Sequence, residues 1–499
     1  MRKLRELFSD TLIYGISNVA ARFLNYLLVP LYTAVFTTGR YSIVVLVYVA
    51  IAFLNVIFTM GMESAYLRYA KDRQEAPHIF KTLQLSLLGF SSLLAVVLWM
   101  AEPVALDLLN LNEQTTIVYL LMLGILWFDT LAIVPFAELR LVRRTFVFAA
   151  LKVGHVVITL GLNLYLILLL DMGIEAVFIS NLAASVVVTL LIWLFTLPLL
   201  TGKWNRYWMQ KAFSFGWPFV PAGLGFVVNE MIDRYFLNEM NPERVQALYG
   251  MEYTPEDIVG IYGACYKVAV FMLLLIQMFR MSWQPFFMRY SEDPEAPKIF
   301  ARAFIYFNLA AAAIYLGVGL FAREIVAIRI PGTGATLIDS NYWMGLEIVP
   351  LLLLAYWFHG WYINFSAGIF ISEKTRILTM IMTAGAFLTI AANFILVPVM
   401  GMMGSAWATV VSYGIMALSL YHYSAKGFQV PYRLRFGAVL MAGMVSAVWS
   451  VPWLSEWFSV GIFTVKATLL ISGYMVLGAL LLKVLKTDGR TVNSEQGVS

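Results

Sequence analysis

Arg22 lies near the middle of ISNVAARFLNYLLVPLY, residues 16 to 32, with Asn18 and Asn25 on either side. Steps of four and three residues put all three on one helical face. The chemistry open to that face is binding rather than bond making. A guanidinium keeps its charge and offers forked donors that fit phosphate or carboxylate oxygens, and the two amides add neutral donors and acceptors. Other apolar runs carry comparable seams: Asn55, Thr59 and Glu63; Lys152, His155, Thr159 and Asn163; Lys267 and Gln277; His359, Tyr362 and Ser366. Asn229, Glu230, Asp233 and Arg234 fall within a turn and a half of one helix.

A charge held in the middle of a bilayer costs about 2.5 to 3.5 kcal/mol on insertion scales, so such side chains face a bundle interior or water. Arg22 and Lys267 have no opposite charge nearby in their own runs, and an excess of interior cations attracts an anion such as a diphosphate. Single Ser, Thr and Asn residues, and His155 and His359, read more simply as hydrogen-bonding contacts between helices. Glu230 and Arg234 have the spacing of a local ion pair, Glu63 is expected to pair with Arg68, and Lys152 and Lys466 are expected to reach toward the membrane surfaces. The sequence has no Walker motif, no HExxH and no zinc-ligand spacing, so neither a metal nor another cofactor is expected. Its single cysteine, Cys265, excludes a disulfide within the chain.

The elements that must position these seams follow from composition. Of 499 residues, 61% are hydrophobic and 13% charged, with a mean hydropathy of +0.79, which places the chain among polytopic membrane proteins. The net charge of +5 is not gathered into a basic block, so nucleic acid is not an expected partner. Runs of ~20 apolar residues predict fourteen spans, near 11–33, 42–61, 82–101, 115–137, 146–170, 174–198, 213–237, 258–279, 301–322, 345–371, 376–398, 401–424, 434–454 and 460–482. With a cytoplasmic N-terminus, inner segments hold 25 Lys and Arg residues and outer loops four; this separation predicts both termini cytoplasmic.

Sliding the chain by 230 residues aligns 118–163 with 348–393, matching Trp127-Phe128 to Trp357-Phe358 and Asn163 to Asn393. A duplicated six-span unit in parallel orientation explains this. The expected fold is therefore all-α, with two six-helix lobes around a central cavity and two additional C-terminal helices. The corresponding boundaries are 1–200 for the N-lobe, 201–212 for a linker with interfacial character, 213–425 for the C-lobe, and 426–499 for spans thirteen and fourteen with the tail. The longest outer loop, 238–257, contains Glu243, Glu252, Glu256 and Asp257 but is too short for a catalytic domain, which weighs against a membrane glycosyltransferase or polymerase.

The segments ARFLNYLLVPLYT (21–33), MGIEAVFISNLAA (172–184), NEMIDRYFL (229–237), GIYGACYKVAVFM (260–272) and QMFRMSWQPFFM (277–288) resemble those of the polysaccharide transporter, or oligosaccharide flippase, family. That family belongs to the superfamily that also holds multidrug extruders and lipid II flippases. The resemblance implies a flippase that moves an undecaprenyl-diphosphate-linked oligosaccharide of O-antigen, capsule or exopolysaccharide type across the bacterial inner membrane, by ion-coupled alternating access. Membrane lipids and the lipid-linked oligosaccharide are the implied partners, with a polysaccharide polymerase and glycosyltransferases as further ones, and a monomer is expected. Arg22 matches the family's first-span arginine, Asp233 and Arg234 its span-seven pair, and Lys267 its basic position in span eight; Tyr262, Tyr266, Trp283 and Pro285 belong to the same segments, and the ion coupling that the resemblance implies makes Asp233 and Glu230 the candidates for binding a coupling proton or Na+. A multidrug exporter would share the fold, but a cavity for organic cations needs carboxylates where this chain has interior cations.

Overall fold

The computed structural model describes residues 28–108, 116–142, 144–330, 334–372, 374 and 376–496. Arg22, Asn18 and Asn25 lie outside these, as does the side chain of Pro285. In chain order the α-helices are α1 (Leu28–Val35), α2 (Thr38–Thr59), α3 (Met62–Tyr69), α4 (Ala76–Met100), α5 (Glu102–Leu108), α6 (Thr116–Leu141), α7 (Thr145–Leu168), α8 (Glu175–Thr196), α9 (Arg206–Gly216), α10 (Phe219–Asn238), α11 (Pro242–Tyr249), α12 (Pro255–Tyr266), α13 (Val270–Tyr290), α14 (Ala296–Val326), α15 (Val349–Ile371), α16 (Arg376–Met400), α17 (Met402–Ala425), α18 (Leu434–Trp449), α19 (Val451–Trp457) and α20 (Ile462–Gln496).

Among the described residues twelve helices are long and apolar enough to cross a membrane, or thirteen if α18 and α19, bent by 54°, form one span. They coincide with the sequence-predicted spans from 42–61 onward. The first predicted span, 11–33, lies mostly outside the described residues, with α1 at its end. The protein is thus a multi-pass membrane protein.

The helices pack as two compact units. One comprises the chain up to Ala264 together with Met382–Ser405; the other comprises Cys265–Ile381 and Ala406–Ser499. In the first unit, the turn from α2 to α3 needs a left-handed backbone, and Gly61 supplies it with φ +68°. Glycine is required there for space as well, since a Cβ would sit 2.7 Å from the carbonyl oxygen of Gly216 at the end of α9. Helix α9 occupies the linker region: Asn205 caps it by accepting from Tyr207 N at 2.8 Å, and it packs on α3 and α4. Lys211 lies over the rings of Tyr69, Tyr207 and Trp208, a set of cation–π contacts that fixes the helix to α3. The 238–257 loop is ordered by Asn241, which caps α11 with Pro242 next in line. Arg244 then donates to the carbonyls of Pro398 and Val399, each at 2.8 Å, satisfying the end of α16.

In the second unit α15 is the central helix. The span that contains it is 78% buried, against 6% for the α20 span; a helix apolar all round belongs inside, and one left uncovered faces lipid. Asn308 of α14 fixes α15 by accepting from the indole nitrogens of Trp357 at 2.9 Å and Trp361 at 2.8 Å, while its amide donates to Phe304 O at 2.7 Å. Asn308→Leu strands both indole N–H groups, so a loss of roughly 2 to 4 kcal/mol is expected, read as a lower thermal midpoint of the purified protein; an unchanged midpoint refutes the anchoring role. Lys466 Nζ meets both oxygens of Glu324 near the end of α14, at 2.7 and 2.9 Å, tying α20 to α14.

Candidate functional site

Asp233 and Arg234 of α10 are buried in the first unit. The Asp233 carboxylate receives three donors: the Arg234 backbone N at 2.9 Å, Arg234 Nη1 at 2.5 Å, and the Tyr262 hydroxyl at 2.6 Å. Arg234 forms an ion pair with Asp233 and also donates to the backbone carbonyl of Glu230. The α-helix explains this geometry: the guanidinium folds back along the preceding turn, where the carbonyl and the neighbouring carboxylate can both be reached.

The contacts continue through the unit. Ser405 donates to Asn393 Oδ1 at 3.1 Å and lies 3.5 Å from the Tyr262 hydroxyl; the Asn393 amide donates to Thr389 O at 2.8 Å, and Thr389 Oγ1 donates to Asn229 Oδ1 at 2.6 Å. Helices α10, α12, α16 and α17 are thereby joined by one buried polar chain. A second copy of its elements stands 230 residues earlier: Tyr32, Thr159 and Asn163 correspond to Tyr262, Thr389 and Asn393. Tyr32 donates to Asn163 Oδ1 at 3.0 Å, and the Asn163 amide donates to Thr159 O at 2.8 Å. The bond from the asparagine amide to the threonine carbonyl four residues earlier is thus common to both repeats.

The seam of α7 is placed as expected, with Lys152, His155, Thr159 and Asn163 on one face. His155 Nε2 is 3.2 Å from Ser185 Oγ of α8. Lys152 Nζ lies 4.1 Å over the Phe136 ring. Glu63 pairs with Arg140 at 2.6 Å, correcting the expected pair with Arg68, whose guanidinium lies over the Phe215 ring. The partner of Glu63 comes from another helix, which spacing within one helix cannot reveal.

In the second unit, Lys267 begins a 3₁₀ turn, Lys267–Ala269, between α12 and α13. Between Ile258 and Val270 every other side chain is buried, yet Lys267 is exposed. A 3₁₀ turn inside a span is a place where a helix can hinge, and it turns this cation out of the packed interior. Tyr266, immediately before it, shares a hydrogen bond of 2.7 Å with the Tyr356 hydroxyl. His359 is buried and stacked on Tyr413 with centroids 4.7 Å apart, and its Nδ1 has no hydrogen-bond partner among the described residues.

One further contact was not legible. Asp257 caps α12 by accepting from Thr254 N at 3.1 Å and from the Thr254 hydroxyl at 3.0 Å, a reciprocal arrangement in which Asp257 N donates back to Thr254 Oγ1. Its other oxygen accepts from Thr38 Oγ1 at the start of α2. At Gly260 a Cβ would overlap the Thr38 carbonyl, and at Gly263 it would lie 2.6 Å from Val45 Cγ2. Glycines alone permit α2 and α12 to meet this closely.

Among solved structures the fold is similar to the lipid II flippase MurJ in an inward closed conformation, with a TM-score of 0.71, 14% identity, and coverage of 95% of this chain and 99% of that one. It is similar to an inward-facing multidrug resistance MATE family transporter of the MOP superfamily, with a TM-score of 0.63, 16% identity, and coverage of 83% and 94%. It is also similar to a MOP superfamily transporter from Pyrococcus furiosus, described as having a binding pocket of reverse polarity, with a TM-score of 0.55, 14% identity, and coverage of 87% and 95%. No curated protein matches. A helical membrane fold with polar seams is thus one this chain shares with these solved transporters. Residues 7–291, more than half of the chain, match the family model described as polysaccharide biosynthesis protein, and the chain belongs to that family.

Proposed function

We propose that this protein is a flippase that carries an undecaprenyl-diphosphate-linked oligosaccharide from the cytoplasmic to the periplasmic leaflet of a bacterial inner membrane, by ion-coupled alternating access and with both termini cytoplasmic. The observation that carries the reading is Lys267: a cation turned out of a buried span at a helical break. An ammonium there has the charge to offset a diphosphate during passage, and Arg22, matched to the family's first-span arginine, supplies a second charge from the sequence. Family membership supports a polysaccharide precursor as cargo. An exporter of organic cations would be hindered by the same positive charge.

The test uses purified protein in proteoliposomes with a fluorescent undecaprenyl-diphosphate-linked oligosaccharide and a membrane-impermeant quencher. Wild type moves the probe between leaflets. Lys267→Gln slows movement by about tenfold, the equivalent of one lost charge-assisted contact of ~1.4 kcal/mol, and Lys267→Arg retains most of it. A wild type that leaves the probe in place refutes the flippase reading, and equal rates for Lys267→Gln and wild type remove Lys267 from the cargo path.

A further inference from the structure

Helices α3 and α9 carry the chain beyond the hydrocarbon layer. The helical segments Thr38–Tyr69 and Arg206–Asn238 run 32 and 33 residues, about 50 Å at 1.5 Å per residue, against a hydrocarbon core of ~30 Å. Their apolar parts, 42–61 and 213–237, leave the excess at the α3 and α9 ends, which puts both ends at the depth of the lipid headgroups. Around α9 the rings of Trp204, Tyr207, Phe213 and Trp217 are exposed, as in an interfacial aromatic belt.

The charges at this depth are unbalanced. Between Met62 and Ala76 there are three carboxylates, and each is engaged away from the cations beside it. Glu63 pairs with Arg140, Glu75 accepts from the Trp208 indole nitrogen at 3.1 Å, and Asp72 accepts from the backbone N of Gln74 at 3.0 Å. Residues 201–217 contain no carboxylate. Arg73 is held by Glu138 at 2.6 and 3.0 Å. Among the described residues, Arg68, Lys71, Lys203, Arg206 and Lys211 form no ion pair.

Two of these cations share one ring. The Arg68 guanidinium lies 5.8 Å and Lys211 Nζ 5.0 Å from the Tyr69 ring centroid, so the two stand within about 11 Å of each other. Arg68 also lies 4.6 Å over Phe215, and Lys211 Nζ donates to the Tyr207 hydroxyl at 3.0 Å. Aromatic rings hold both cations in place without neutralising them. Short rotations of either long side chain let one phosphodiester take charge-assisted donors from both.

We propose that Arg68 and Lys211, flanked by Lys71, Lys203 and Arg206, bind the headgroup of an anionic phospholipid from the surrounding bilayer. Juxtamembrane cations are drawn to anionic leaflets. Charge and setting together select the occupant: a soluble anion would use the cations alone, whereas a phospholipid uses the cations and the exposed rings. The site fastens α9 to the membrane surface and does not depend on the flippase reading.

Native mass spectrometry of the full-length protein reads the site directly, after release from micelles that carry equal amounts of phosphatidylglycerol and phosphatidylcholine with the same chains. Wild type retains phosphatidylglycerol about tenfold over phosphatidylcholine, as expected for two juxtamembrane cations. Arg68→Gln with Lys211→Gln removes most of that preference, and Arg68→Lys with Lys211→Arg keeps it. Thermal midpoints in phosphatidylcholine alone check that each variant is folded. Should the neutral pair fail to fold, Lys71→Gln with Arg206→Gln, at two exposed positions, lowers the preference by about threefold. Equal retention of the two lipids by wild type overturns the proposal, as does a wild-type preference in the folded neutral variants. Displacement of phosphatidylglycerol by inorganic phosphate assigns the cations to a soluble anion, and displacement by equimolar undecaprenyl diphosphate assigns them to cargo entry; either result also overturns it.

Discussion

Gly260→Ala, a change of one methyl group, is expected to prevent α2 and α12 from closing on each other and to reduce transport to near background. The methyl carbon would overlap the Thr38 carbonyl oxygen, a backbone atom fixed in the first turn of α2. It cannot move aside as a flexible side chain can. Overpacking of a tight site costs roughly 1 to 3 kcal/mol, and a backbone obstacle puts this substitution at the upper end. The readout that does not depend on cargo is thiol labelling of Ser42→Cys on a Cys265→Ser background, because Ser42 is buried and Cys265 is the only native thiol. Labelling is slow in the parent and fast with Gly260→Ala. Thr38→Val is the milder companion: it removes only the hydrogen bond to Asp257, worth about 1 kcal/mol, so labelling should rise about fivefold. Unchanged labelling in both variants means that the α2–α12 contact does not control access.

What could be read before the fold was known divides along a physical line. Span positions depend on local apolar content, and those from 42–61 onward reappear as helices. The facing of a seam depends on period alone, so Lys152, His155, Thr159 and Asn163 fall together as predicted. The repeat was legible through Trp127-Phe128 and Asn163, and it held a deeper signal that went unread: Tyr32 and Tyr262 share the same spacing and the same role as donors in the buried polar chains. Partner choice was illegible because it depends on tertiary packing. Glu63 finds Arg140 and Lys466 finds Glu324, each across helices. The helix α11 could have been read from Asn241-Pro242-Glu243, a cap followed by proline and an acidic first turn.

Asp233→Leu is expected to destabilise the protein by about 3 to 5 kcal/mol, because it removes the carboxylate paired with the buried Arg234 guanidinium. The side chains are 5% and 8% exposed, so water cannot take the place of the lost carboxylate. Tyr262→Phe should cost less, about 1 to 3 kcal/mol, since it removes one donor and leaves the ion pair intact. The deciding variant is the double one. Replacing both charges, with Asp233→Leu and Arg234→Met, removes the uncompensated ion and is expected to recover most of the loss, because a buried pair is often replaceable by apolar groups of similar volume. Thermal midpoints in detergent measure all three. If Asp233→Leu melts with wild type, the pair is not what holds α10 to α12. If the double variant is no more stable than Asp233→Leu, the loss comes from the broken polar chain through Tyr262, Ser405 and Asn393 rather than from a stranded charge. Recovery of stability without recovery of transport would then separate the two roles: the pair as a fixed anchor for the fold, and its charges as elements the moving helices need.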